Sequence, residues 1–469
     1  MPPANLARNG PESPPPRGVA GSNAHGRERG NAGSRQRGLM CWRSKRACAV
    51  RFLGRVPMSR PDQDSVLSDG VETPRRVPAF PRSRDSAIDR RLLLTATAAH
   101  FLNDFHVAFL APLLPLVVVK FNLSLALAGL LATVLTTSAA LSQPVFGIVA
   151  DRLRRRIFVM LGPALTVLAM GLMGLAPTYA LLLALLLIAG TGTASFHPQG
   201  ASTAGEASGD RRGTGLSLFV AGGELGYSLG PLIVALVVAV RGLEATWLVA
   251  LPGLGACVLL WRSIPIRRDP PRRPEGNTLT SDLAATFGPL AVLWLVVVLR
   301  TIVISGYQTF LPLLLHQRGG SIVAGGAAVF LFGGIGAIGG VVGGMLSDRV
   351  GRRRMVALSL VLGTPLLLGF IHTQGAWAYA LLAGGGVALY LSAAVTIVMA
   401  QELLPHRASV ASSIVMGLAW GTAGLSLTGI GALADAIGLE RALRLLLLLA
   451  VPALAAAQAL PQTRGRELL

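Results

Sequence analysis

Lysine is almost missing from this chain: Lys45 and Lys120 are its two copies, and every other cation among the 42 Lys and Arg is an arginine. Charge of either sign is scarce, at 14% of 469 residues, where a soluble domain uses roughly 25% to wet its surface. A water-covered globule of this size is therefore excluded. With 52% hydrophobic residues and a mean hydropathy of +0.59, lipid has to cover much of the surface. Cysteine is limited to Cys41, Cys48 and Cys257, too few for a disulfide framework. Neither an HExxH string nor paired CxxC motifs occur, so no metal or other cofactor is expected. Without a nucleophile–base set or a phosphate-cradling loop, enzymatic activity and ATP use are not expected either. The net charge of +20 would suit a nucleic-acid binder, but no basic face with interleaved aromatics exists to stack bases. No nucleic-acid partner is expected.

Polar residues are concentrated at the start. Residues 1–90 carry 17 Lys and Arg against 8 Asp and Glu, rich in Pro, Gly and Ser and without apolar periodicity. Such a stretch buries too little to offset chain entropy and is expected to be a disordered basic tail. No apolar core follows a basic start, so it is not a secretory signal. Met58 offers a second start, which would leave residues 1–57 untranslated. From residue 91 apolar runs recur, each long enough for ~30 Å of hydrocarbon. They are expected at 91–119, 124–150, 157–176, 178–203, 213–240 and 244–262, then at 287–315, 322–347, 354–373, 376–402, 407–434 and 442–460. The reading is an all-α membrane protein of about twelve transmembrane helices. Residues 91–262 form one six-helix bundle and 287–460 a second. Between them lies the linker 263–286, which holds Arg267, Arg268, Arg272 and Arg273, and residues 461–469 form a C-terminal tail.

Assigning alternate loops to the cytoplasm puts eighteen of the loop cations inside and five outside, the latter Lys120, Arg241, Arg318, Arg441 and Arg444. Basic residues prefer the cytoplasmic side. A multi-pass protein of the inner (plasma) membrane with both termini cytoplasmic is expected. The halves also echo each other: Gly147 to Arg152 and Gly344 to Arg349 share a pattern 197 residues apart, and Pro115 matches Pro312 at the same offset. Two parallel repeats about an axis along the membrane normal are one way to build a transporter.

Between the second and third helices of each half runs G-x-x-x-D-R-x-G-R-R/K, which resembles the signature loop of the major facilitator superfamily. Gly344, Asp348, Arg349, Gly351, Arg352 and Arg353 match it fully. The first copy has Gly147, Asp151, Arg152, Arg155 and Arg156, with Arg154 in place of the second glycine. Carboxylate and guanidinium groups at helix ends can pair in one conformation and part in another; a plain positive-inside anchor would need the same cations. The strings Ala99 to Phe105, Ala194 to Gly200, Leu216 to Gly226 and Ala400 to Pro405 resemble the fosmidomycin-resistance branch of that superfamily. The resemblance spans about residues 95–460. It implies the major facilitator fold and a proton-coupled inner-membrane exporter of the drug-resistance type. Relatives often carry Asn at the position of Glu224 and an acid at that of Gln199, so the substrate is not carried over. Gly226, Gly230 and Pro231 resemble an antiporter motif, although close helix packing would use the same residues.

Charge inside a span is expensive, at least about 2.5–3.5 kcal/mol per group on insertion scales, so the intramembrane polar residues mark chemistry. His100, Asn103 and Asp104 fall at i, i+3 and i+4, on one helix face. Arg300 stands at the repeat position of Asn103. Asp104 and Arg300 are therefore expected to face one another, as a proton-coupling pair or as a static ion pair. Glu224 is expected to face the cavity as a proton or cation site. His197, beside Pro198, is either a structural hydrogen bonder or a substrate contact. His106 is on another face, and Glu402 reads as an interface residue. Gly334, Gly336 and Gly339 satisfy a dinucleotide fingerprint, but no strand precedes them, and Gly336, Gly340 and Gly344 read better as a helix-packing seam. The expected partners are a small-molecule substrate, protons and the lipid bilayer, with the protein a monomer. Proton-driven export by alternating access is the first reading. Uptake of an organic anion through Arg300 and the histidines is the second, and a transport-dead receptor the third.

Overall fold

The computed structural model describes residues 88–146, 155–209, 212–263, 279–404 and 408–462. The tail before residue 88, Gly147, Asp151 and Arg152 of the first signature loop, and the side chains of Arg155 and Arg156 lie outside the described residues.

The described residues form helices and short connections. In chain order they are α1 (Arg90–Phe121), α2 (Leu125–Phe146), α3 (Ile157–Leu175), α4 (Tyr179–Ala207), α5 (Gly215–Arg241), α6 (Leu243–Trp261), α7 (Thr286–Gln317), α8 (Ile322–Val350), α9 (Arg352–His372), α10 (Ala376–Leu403) and α11 (Val410–Ile437), all long and apolar enough to cross a membrane. A twelfth, α12, is made of Leu439–Leu446, a tight turn at Leu447–Leu449 and Ala450–Gln458. The expected spans are therefore found, with ends shifted by a few residues. Residues 279–286, assigned to the linker, are helical and continue into α7. Two of the breaks coincide with proline. Pro112 has no N–H to offer the Ala108 carbonyl, and α1 is interrupted between Val107 and Leu110. Pro452 stands in the same relation to Leu448 within the tight turn of α12. Side-chain caps open several helices: Asp89, Ser124, Thr178 and Ser321 each accept from the backbone N–H three residues on, at 3.0–3.2 Å. Large apolar side chains such as Leu259 (66% exposed) and Val451 (67%) point outward, as a lipid-facing surface requires.

Polar contacts show which ends lie together. At one end Lys120 donates to the Gly174 carbonyl (2.8 Å), tying α1 to α3. Arg318 donates to Glu440 (2.9 Å) and to the Ile371 carbonyl (2.6 Å), tying α7, α9 and α12. Glu440 also takes a hydrogen bond from Arg444 (2.9 Å). The Asp435 carboxylate, at the end of α11, accepts from the backbone N–H of Leu125 and Ala126 at 2.8 Å each, capping α2. The opposite end carries Asp348, Arg352 and Glu402. Helices of the two halves meet along α2 and α11 and along α5 and α8, and the second part of α1 packs on α7. Gly129 and Gly431 let α2 and α11 touch backbone to backbone, while Gly326 lies against Pro231 and Ala235.

The glycine seam of α8 is present in a different register. Gly339 and Gly343 press on the carbonyls of Val387 and Leu391 of α10, and Gly336 meets the Tyr390 ring. Gly340 and Gly344 have room; a methyl on Gly344 would meet Ala394 at an ordinary 3.6 Å. Gly343→Ala is therefore expected to destabilise the protein by about 1–3 kcal/mol through forced backbone separation. Gly344→Ala should be neutral or slightly stabilising, because alanine is the better helix former. Thermal unfolding of the purified variants compares the two; equal melting temperatures would refute the seam.

Candidate functional site

The site begins on α1, where one helical turn brings His100 and Asp104 together: His100 Nε2 is 3.2 Å from Asp104 Oδ2. Asn103, fully buried, donates to Asp104 Oδ1 at 2.8 Å and takes a weak bond from Thr193 of α4 at 3.4 Å. From α4 comes His197, whose Nε2 lies 3.4 Å from Asp104 Oδ1 and 3.2 Å from His100 Nε2. His197 thus joins the two residues that α1 alone aligned. The sequence offered no expectation of metal, and yet two imidazoles and a carboxylate converge here with all ligand atoms within 4.8 Å of one another. His197 is 97 residues from His100, beyond the reach of local metal motifs.

Packing fixes the His100 ring. It stacks on Phe219 of α5 at 4.1 Å between centroids, and its Nδ1 is 2.8 Å from the Phe219 carbonyl oxygen. Gly223 presses on the same ring, so a side chain there would displace it. Gly226 and Gly230 lie against the Phe101 and Phe105 carbonyls, and with Pro231, whose carbonyl faces Gly326 of α8, this motif holds α5 tightly on α1 and α8. Packing is the role these contacts support. Glu224, one residue beyond Gly223, is accessible and interacts electrostatically with Asp104 and His100.

In the second half the partners differ from those expected. Asp104 is not paired with Arg300. Buried Arg300 donates from Nη1 to Ser392 Oγ at 2.6 Å, and Ser359 donates to the same oxygen at 2.9 Å. Its Nε finds no hydrogen-bond partner. Tyr390 lies within electrostatic reach of both Arg300 and Glu224, and its hydroxyl accepts from Gln308 Nε2 at 3.0 Å. The repeat offset could not show that α10 supplies the hydroxyl Arg300 bonds, nor that α9 supports it through Ser359. His106 is packed away from the site, on Gly253 of α6 and the Leu102 carbonyl.

At the far end of the second half, Gly351 sits at φ +97° between α8 and α9, a conformation that favours glycine. This turn delivers Arg352 to Glu402 of α10 at 2.7 Å, with Asp348 further off at 3.7 Å. Arg352 is buried, with 8% side-chain exposure. Arg353 donates to the Gln458 carbonyl of α12 at 3.1 Å. Glu402, which reads in the sequence as an interface residue at the end of an apolar span, is thus the close partner of Arg352.

Twelve apolar helices in two repeats, with buried charged groups on α1 and α7, define a polytopic membrane transporter. A family model described as Major Facilitator Superfamily matches residues 96–426. The chain belongs to the major facilitator superfamily. It is 30% identical to the fosmidomycin resistance protein of Escherichia coli K12 over 359 residues, covering 74% of this chain and 87% of that one. It is 29% identical to the MFS-type transporter YfnC of Bacillus subtilis 168, with the same coverage. The multidrug resistance protein MdtG of Salmonella arizonae is 26% identical over 62% of this chain and 76% of its own. Among solved structures, a bacterial homolog of the human lysosomal transporter Spinster, in an inward-facing and unoccupied conformation, superposes with a TM-score of 0.66 over 80% of this chain and 97% of that one. At 18% identity this last likeness speaks to the fold.

Proposed function

We propose that the protein exports a small organic molecule from the cytoplasm across the inner membrane, driven by the proton gradient and working by alternating access. The observation that carries this reading is the carboxylate of Asp104 held between two imidazoles in the middle of an apolar span. Such a group exchanges a proton when either neighbour moves, which is what coupling needs. Glu224, within electrostatic reach, offers a second station for the proton. The basic-rich loops then face the cytoplasm, with both termini on that side. Helix pairs α2–α11 and α5–α8 connect the two halves, and rocking one six-helix half on the other would expose the cavity to each side in turn. The Asp348, Arg352 and Glu402 group serves as the cytoplasmic gate.

Arg300 supports an anionic substrate. It is buried, bonded to a hydroxyl rather than a carboxylate, and keeps one N–H without a partner. The name of the fosmidomycin resistance protein makes fosmidomycin the first compound to try, with other phosphonates and organic anions after it. The test uses proteoliposomes with an imposed pH gradient and a pH-sensitive dye inside. A dye signal that appears on adding substrate supports coupled transport. Substrate movement without a proton signal would leave a transporter and remove the coupling.

A further inference from the structure

Three donor atoms meeting at one point raise a question that a single proton answers only in part. His100 Nδ1 lies 2.8 Å from the Phe219 carbonyl, which can only accept, so Nδ1 carries the hydrogen. In its neutral form the His100 Nε2 is then a bare lone pair, facing Asp104 Oδ2 at 3.2 Å and His197 Nε2 at 3.2 Å. The third edge, His197 Nε2 to Asp104 Oδ1, is 3.4 Å. A hydrogen on His197 Nε2 can serve the two edges it touches and leaves His100 Nε2 facing Asp104 Oδ2 lone pair to lone pair, whereas a cation among the three atoms answers every edge.

We infer that His100, Asp104 and His197 form a binding site for a divalent transition-metal ion of the Zn²⁺ type. Ligands bound at 2.0–2.1 Å in a tetrahedron stand about 3.3–3.5 Å apart, and the three edges found here match that spacing. Two imidazoles and one carboxylate select a borderline ion over Mg²⁺ or Ca²⁺, which prefer oxygen. The outer shell is built as metal sites require: the Phe219 carbonyl orients His100, and Asn103 holds the Asp104 carboxylate. Stacking on Phe219 and contact with Gly223 leave the His100 ring no freedom. His197 is the adjustable ligand, with 27% side-chain exposure and no partner on its Nδ1. Three protein ligands leave a fourth position for water or for an anionic group of the substrate. The ion shares its residues with the proposed proton site but does not depend on proton coupling.

The test is equilibrium binding to the full-length protein in lipid nanodiscs, without gradient or substrate, so its outcome is independent of transport. Zn²⁺ titrated by calorimetry should bind at one ion per chain through this cluster. Co²⁺ should give the intense visible bands of a tetrahedral site, abolished by Zn²⁺. His197→Ala should weaken binding at least tenfold, and Asn103→Ala, which touches no ion, by roughly 10–100-fold. Unchanged melting temperatures without metal would show that the variants fold. Absence of saturable binding would overturn the inference. So would binding that survives the double change His100→Ala and His197→Ala, because the ion would then belong to histidines such as exposed His316 and His372.

Discussion

Proteoliposomes carrying Asp104→Asn are expected to lose substrate-driven proton movement, while the protein still inserts and folds. The carboxylate accepts from Asn103 and faces both imidazoles at 3.2 and 3.4 Å. A hydrogen bond to a charged group contributes about 1.5–3 kcal/mol, so losing one such contact changes a proton or substrate equilibrium by about ten- to a hundredfold. An amide in the same volume keeps the shape and removes the charge. Glu224→Gln should reduce the signal as well, by a smaller factor if Glu224 is the second station and not the first. His316→Gln, at an exposed position, should leave it intact. The dye assay described above reads all three. Full proton movement in Asp104→Asn would move the coupling elsewhere, with Glu224 next in line.

Glu402→Gln is expected to destabilise the protein by about 3–5 kcal/mol, because it leaves the Arg352 guanidinium buried without its close partner. Asp348 cannot take over: it is 63% exposed and 3.7 Å away. Asp348→Asn should accordingly cost little, within the 0–1 kcal/mol of an exposed pair. The double change Arg352→Met with Glu402→Gln should recover much of the loss, since two apolar or neutral side chains leave no stranded charge. Thermal unfolding in detergent measures each. If Asp348→Asn proves the more damaging, the motif's own acid is the partner and Glu402 is not.

That contrast illustrates what the sequence could and could not convey. Hydropathy placed the spans, because a lipid-facing helix must be apolar along its length, and proline accounts for the breaks in α1 and α12. On α1 the spacing of His100, Asn103 and Asp104 was sufficient, since neighbours within one helical turn are fixed by helix geometry. Partners from other helices were not legible. His197 lies 97 residues from His100, Arg300 is 92 residues from Ser392, and nothing local distinguishes those residues from their neighbours. The repeat offset suggested that Arg300 would answer Asp104, whereas its partner is the Ser392 hydroxyl. The glycine seam failed in a similar way: a four-residue spacing was assumed, whereas α10 approaches Gly336, Gly339 and Gly343.

The cap that Asp435 places on α2 bears on how readily the molecule changes state. Any rearrangement that draws α2 away from the end of α11 must break both of its 2.8 Å bonds to Leu125 and Ala126. The carboxylate is exposed, so water competes for those N–H groups, and the cap is worth about 0.5–2 kcal/mol. A latch of that size biases two conformations by no more than about thirtyfold. A ligand with only modestly different affinity for the two conformations could overturn such a bias. The latch is therefore strong enough to set a resting orientation and too weak to trap the protein in it.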